Sequence, residues 1–396
     1  MLATLHRNRP QERPVELARL RFFHNIPHPC MVDFFDELHR RQVNLEVFFQ
    51  ARHHGERPWC EVSLPQWQHR SLRGWRVHFG GRAIQVNYGL RELAETEPRD
   101  AIWVLSGFME PAFQRLAACL NERGVPWVLL NEAPYAGVGR GHPRDLLRRL
   151  ALRVCRSALG VIVFGAESHR RYYLERLRGK PVRAVPQLLD TAALHELARV
   201  RVRMRLERGR RVRVLYCGQW EKEKRVDRLF ATALRLVQSY PAVSFVFAGT
   251  GSLGACFEQA LKREATGRIV LRPRLTREAL LQEYAEADVL VQPAPNQGWG
   301  MSVTEGLAAG LAVVSSRSVG AAEALVRPGV EGFLADPDDW ASLEECLEAL
   351  VRDIPTLNAV TEHAVGTGLT LSIAKGVDGF LEALEAILGR PVHTCG

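Results

Sequence analysis

Short apolar runs alternate along the chain with stretches in which apolar residues recur every three or four positions. Residues 19–24 and 45–49 read as strands, and residues 31–40 between them read as a helix with Met31, Phe34, Phe35 and Leu38 on one face. Residues 101–105, 127–130 and 159–164 are further buried strands, with a helix around 111–123. Residues 51–82, rich in Arg, His, Trp and Gly, read as a loop region, and residues 1–16 as a polar tail. A second set begins at 212–218, after an exit from the first at 185–190. Its first strand is followed by a helix with Val226, Leu229, Phe230, Ala233 and Val237 at core spacing. Strands at 244–248 and 268–271 come next, then apolar runs at 288–293 and 311–315. Strand alternating with helix argues two parallel α/β units. In such sheets ligands sit beyond the carboxyl ends of the strands.

The most informative segment joins the last two of these runs: Asn296-Gln297-Gly298-Trp299-Gly300-Met301-Ser302-Val303-Thr304-Glu305-Gly306. Its glycines let a ligand approach the backbone, and the helix start that follows offers unpaired N–H groups suited to phosphate. Glu305 sits one turn into that helix. Two readings of it stand side by side. Ser302-x-x-Glu305 is a capping box, with Ser302 as N-cap and Glu305 reaching back to its N–H; alternatively Glu305 contacts a ligand.

This segment resembles the donor-binding motif of retaining glycosyltransferases of family 4: a Glu, seven residues and a second Glu, with Gly-aromatic-Gly after the first. Gln297 stands at the first Glu, and Glu305 is the second. The loop Gly218-Gln219-Trp220-Glu221-Lys222-Glu223-Lys224 resembles the family's Gly-Arg-x-x-x-x-Lys loop, with Gln219 in place of the Arg and Lys224 at the Lys. The resemblance runs from about residue 212 to 350 and is weak before residue 200.

The resemblance implies a GT-B fold: α/β, two Rossmann-like doubly wound domains facing a central cleft. Residues 1–190 would bind the acceptor, residues 191–370 the nucleotide-sugar, and residues 371–396 would form a C-terminal helix crossing back to the first domain. Lys224 would clamp the donor diphosphate and stabilise the leaving group. Glu305 would accept hydrogen bonds from the ribose hydroxyls. Gly218, Gln219, Gly298, Trp299, Gly300, Met301, Ser302 and Val303 would line the donor, and Arg274 would flank the base. Gln297 would face the transferred sugar, where its neutral hydrogen bond is worth about one to two kcal/mol less than a charged one. Glu132 follows the strand 127–130, where many relatives carry a His, and is a candidate contact to sugar or acceptor; His24 and His142 are alternatives.

The activity implied is retaining, metal-independent transfer from a nucleotide-diphosphate sugar to a carbohydrate, lipid-linked or small-molecule acceptor. No cofactor beyond the donor is expected, and no nucleic-acid partner. Gln219 and Gln297 keep open a catalytically silent nucleotide-binding subunit, and the fold keeps open an epimerase or a phosphorylase.

Charge adds one qualification. The 396 residues carry a net charge of +9, and five of the 53 basic residues are lysine. A basic surface suits anionic substrates or anionic membrane. The stretch 143–157 interleaves Arg144, Arg148, Arg149, Arg153 and Arg156 with Leu146, Leu147, Leu150 and Val154. That pattern can lie on anionic lipid, but its apolar side is expected to face the core. The eight cysteines form no Cys-x-x-Cys pair, which argues reduced thiols and a cytoplasmic location; peripheral membrane contact stays open. Asp336-Pro337-Asp338-Asp339 reads as a turn and N-cap and not as a metal site. No apolar run approaches the roughly 20 residues that span a bilayer.

Overall fold

The computed structural model describes residues 19–51, 67–79, 82–132, 143–208, 211–264 and 266–392. Its strands, in chain order, begin with β1 (Leu20–His24), β2 (Leu45–Phe49), β3 (His69–Ser71), β4 (Gly74–Phe79), β5 (Arg82–Asn87), β6 (Ile102–Leu105), β7 (Trp127–Glu132), β8 (Val161–Phe164) and β9 (Val182–Val185). They continue with β10 (Val212–Cys217), β11 (Val243–Ala248), β12 (Ile269–Arg272), β13 (Val289–Gln292), β14 (Ala312–Ser316) and β15 (Gly332–Ala335). Two sheets result, in the orders β3-β2-β1-β6-β7-β8-β9 and β12-β11-β10-β13-β14-β15, while β4 and β5 form a separate hairpin. Neighbours within each large sheet run parallel, with Leu20 opposite both Leu45 and Ile102, and Val214 opposite Phe245 and Val289. Helices cover both faces, so β2, β6, β8, β13 and β14 are apolar along most of their length and buried throughout.

In each sheet the strand order reverses beside the first strand, β1 next to β6 and β10 next to β13. Such a reversal opens a crevice at the carboxyl ends, where loops leave in opposite directions. The helix Ile373–Leu388 returns from the second unit to the first. Phe380 lies 5.1 Å from Phe34, 5.8 Å from Phe22 and 6.4 Å from Phe164, ring centre to ring centre. Val377, Leu381 and Leu384 share that core. The helix Ala192–Arg208 is pinned in the second unit by Arg201. Its buried guanidinium donates to the carbonyls of Ala309 (2.5 Å), Tyr284 (2.6 Å) and Ala287, at the ends of neighbouring helices. These bonds satisfy carbonyls that a helix end otherwise leaves orphaned.

Two expectations are corrected. The region 51–82 is not all loop: β3 and all of β4 fall within it, and β5 begins at its end. The strand pattern was hidden because β3 is a short polar edge strand and because the hairpin exposes Trp75 and Val77; edge strands need no apolar alternation. The stretch 143–157 does not turn its apolar side to the core. It is a helix over Pro143–Ala151 and a separate 3-10 turn over Val154–Ser157, with Leu146, Leu147 and Leu150 exposed by 61%, 58% and 42%. No helix among the described residues is long and apolar enough to cross a membrane.

Candidate functional site

Three loops meet at the crevice between β10 and β13. The first leaves β10 through Gly218 and makes a one-turn 3-10 helix at Lys222–Lys224, which Arg225 ends in a left-handed conformation at φ 55°. The second leaves β11 as Gly249-Thr250-Gly251-Ser252 and lies against the first: Trp220 N–H donates to the Thr250 carbonyl (2.9 Å) and Leu253 N–H to the Trp220 carbonyl (3.1 Å). Ser252 N–H and hydroxyl both donate to the Glu221 carboxylate. The third leaves β13 and reaches the helix Met301–Ala308 through Gly300, whose φ of 86° is left-handed. A side chain there would also strike Val319, so Gly300 is required on two counts.

These loops bring Lys224 and Gln297 together across 73 residues of sequence: the half-buried Lys224 ammonium donates to Gln297 Oε1. Glu305 is only partly exposed and accepts a hydrogen bond from Tyr284 (2.7 Å). Burial pushes its carboxyl above the usual carboxylate range, with Tyr284 and Arg277 acting in the opposite sense. Beneath it, burial pushes the Cys217 thiol up to about 12, which keeps it protonated. The six cysteines among the described residues are free thiols.

The remaining residues expected to line a donor divide. Trp299 and Val303 are buried side chains, Trp299 donating to Thr304 (2.9 Å), so they offer a ligand backbone only. Ser302 is turned inward, accepting from Gln292 (2.8 Å). The capping-box reading therefore fails: the N-cap is Gly300, with no side-chain cap, and Glu305 points to Tyr284. Met301 is half-buried, while Gln219 and Arg274 are exposed, Arg274 at a left-handed φ of 53°. Gly298 is held by its carbonyl, which accepts from Gly320 N–H (2.9 Å), as Trp299's does from Ala321 N–H (2.7 Å). Val303 N–H closes the first turn on the Gly300 carbonyl (3.0 Å), so the N–H groups of Met301 and Ser302 are the helix-start donors of the kind that suits an anion.

The loop Gly249–Ser252 was not anticipated from sequence, although two glycines directly after a buried strand signal a close backbone approach. A side chain on Gly251 would lie against the Trp220 carbonyl and within 2.6 Å of its carbon. Gly251→Ala should cost about 1–3 kcal/mol by overpacking, seen as a melting temperature lowered by several degrees.

The first sheet has a polar pair at its own crevice. At the β1–β6 crevice, Ser106 Oγ donates to the Phe23 carbonyl (3.0 Å) and lies 2.7 Å from His24 Nδ1. The single hydroxyl hydrogen is used, so His24 Nδ1 donates and Nε2 keeps its lone pair. Burial, aided by His28, lowers the His24 pKa to about 4, so the ring is neutral at pH 7. Across the domains, Ser168 N–H donates to Glu323 (3.0 Å), and the His169 ring abuts Gly320 beside the Gly298 carbonyl. The Glu132 side chain and His142 lie outside the described residues. No group of three or more metal-ligating side chains occurs among the described residues.

Residues 203–365 match the family of glycosyl transferases group 1. The D-inositol 3-phosphate glycosyltransferase of Mycolicibacterium vanbaalenii is 35% identical over 120 residues, 29% of this chain and 25% of that protein. The sulfoquinovosyl transferase SQD2 of Arabidopsis thaliana is 29% identical over 168 residues, 41% of this chain and 31% of that protein. The matches thus span about a quarter to a third of these relatives' own length. The crystal structure of Anabaena HepE in complex with UDP superposes with a TM-score of 0.68 at 14% identity, over 93% of this chain and 100% of that one. The fold is GT-B, and the segment 203–365 matches the glycosyl transferases group 1.

Proposed function

We propose that this chain, a GT-B protein with a group 1 glycosyltransferase segment, moves a sugar from a nucleotide-diphosphate sugar to an acceptor held by the first domain, with retention of configuration and without a metal. The observation that carries the reading is the convergence of Lys224, Gln297, Glu305 and the Gly300 helix start on the β10–β13 crevice. Lys224 and the helix N–H groups would stabilise the charge that develops on the departing diphosphate. Glu305 would bind the ribose hydroxyls, leaving the exposed Arg274 beside the base. The leaving phosphate would take the acceptor proton on the same sugar face, so the protein supplies positioning and positive charge and needs no nucleophile of its own. Neutral His24, with Nε2 available, would accept a hydrogen bond from an acceptor hydroxyl.

The HepE structure with UDP makes a uridine donor the first to test. Thermal unfolding with UDP, GDP, ADP, CDP and dTDP, each with and without magnesium, tests the reading. A nucleotide at about 100 times its Kd stabilises by about 2.7 kcal/mol. One nucleotide should raise the melting temperature by several degrees, with no need of magnesium. No shift with any of them at millimolar concentration would overturn the donor site. A shift without turnover of the matching sugar conjugates would select a silent binding subunit, the reading favoured by the neutral Gln297 and Gln219.

A further inference from the structure

We propose that the helix Pro143–Ala151, with the arginine-lined hollow beside it, is a docking surface for an anionic lipid membrane. Leu146, Leu147 and Leu150 are each exposed by two-fifths or more. Positions spaced by three and four residues share a helix face, so the three form one apolar ridge on the outside of the first unit. Arg149, Arg153 and Arg156 are exposed alongside it. Arg149 and Arg156 also line a hollow of about 570 Å³ whose other walls are Leu152, Glu175, Arg176 and Arg178. Arg176 is stacked on the Tyr172 ring at 3.7 Å, which fixes one wall.

The pattern fits an interface between water and lipid. A helix that lies on a bilayer sinks its apolar side chains into the acyl boundary while its cations meet anionic headgroups. Residues 143–157 carry five arginines against a single acid, Asp145. Below the ridge, Leu152 and Cys155 are buried in the core of the first unit, so the following turn anchors the helix and leaves the ridge outermost. A second copy of the chain is a poorer occupant. Three leucines cover a small part of the roughly 800 Å² per partner of a stable protein interface, and a copy would bring the same arginines against these. The docking surface is separate from the β10–β13 crevice and does not depend on the transferase reading.

The test is flotation of the full chain with vesicles of phosphatidylcholine alone or with added phosphatidylglycerol. Binding is expected to the anionic vesicles only, and release as salt is raised. A paired Leu147→Ser and Leu150→Ser variant should lower the partition coefficient by about tenfold or more. A paired Arg153→Glu and Arg156→Glu variant should lower it at least as far, at roughly fivefold for each arginine near an anionic surface. Circular dichroism melting shows whether both variants fold as the parent does, independently of any nucleotide. If a variant unfolds, the single changes Leu147→Gln and Arg153→Gln are read in the same way. Absence of binding to anionic vesicles at low salt overturns the proposal. So does binding that survives loss of the leucines, or a leucine variant that changes only the monomer–dimer balance.

Discussion

Replacing Lys224 with alanine should lower kcat by about two to three orders of magnitude, the usual cost of removing one donor aimed at developing charge. The thermal stability of the unliganded chain should move little by comparison. Lys224 is half-buried on a one-turn helix and packs in no apolar cluster. Its ammonium is held across the crevice by Gln297 Oε1. Gln297 is neutral, so this contact orients the cation without cancelling its charge. The companion substitution Gln297→Glu sharpens the test. A carboxylate at this position would pair with Lys224 and weaken free nucleoside diphosphate by roughly up to tenfold, in line with the modest worth of partly exposed ion pairs. Lys224→Arg should recover part of the turnover only, because a planar fork does not place its charge as an ammonium does. Steady-state kinetics on the donor found by thermal shift would decide. Full turnover in Lys224→Ala would remove the residue from the mechanism.

The second unit was the more legible in sequence. Its strands are near-continuous apolar runs, and the groups gathered at its crevice sit in loops marked by glycine. What sequence could not supply was direction. Trp299 and Ser302 lie inside the recognised motif, yet both turn inward, to Thr304 and Gln292. Ser302-x-x-Glu305 has the spacing of a capping box, but Gly300 ends the preceding loop two residues earlier and takes the cap position by its backbone alone. The leucines near residue 147 show the same limit. Periodicity tells which side chains share a face, and only packing tells whether that face has a partner. The first unit resisted for a different reason: its crevice is built from single polar groups, His24 and Ser106, at the ends of two separate strands. Nothing in their sequence spacing links residues 82 apart, as His24 and Ser106 are.

Glu305→Gln should separate binding from stability. A carboxylate whose folded pKa is raised by burial contributes stability that is complete below its unfolded pKa and is lost as pH rises through the folded value. Above its folded pKa the ionised Glu305 is therefore a burden on the unliganded fold. Gln keeps an oxygen for the Tyr284 hydroxyl and removes the buried charge. The unliganded variant should melt at the same temperature as the parent or higher at pH 7–8, and that advantage should fade as the pH falls below the ordinary carboxylate range. Nucleotide affinity should move the other way. Hydrogen bonds to a charged acceptor are worth about 1.5–3 kcal/mol against 0.5–1.5 for a neutral one. Loss of the charge should thus weaken the matching nucleoside diphosphate by roughly tenfold, and Glu305→Ala by up to about a hundredfold. Parent affinity should also fall at a pH above the usual carboxylate range, as Glu305 takes up its proton, whereas the Gln variant should lack that step. Calorimetry across pH would read both. A variant that melts lower yet binds nucleotide unchanged would mean that Glu305 serves the fold; a residue retained at a cost to the unliganded protein instead gives its benefit only when the ligand is present.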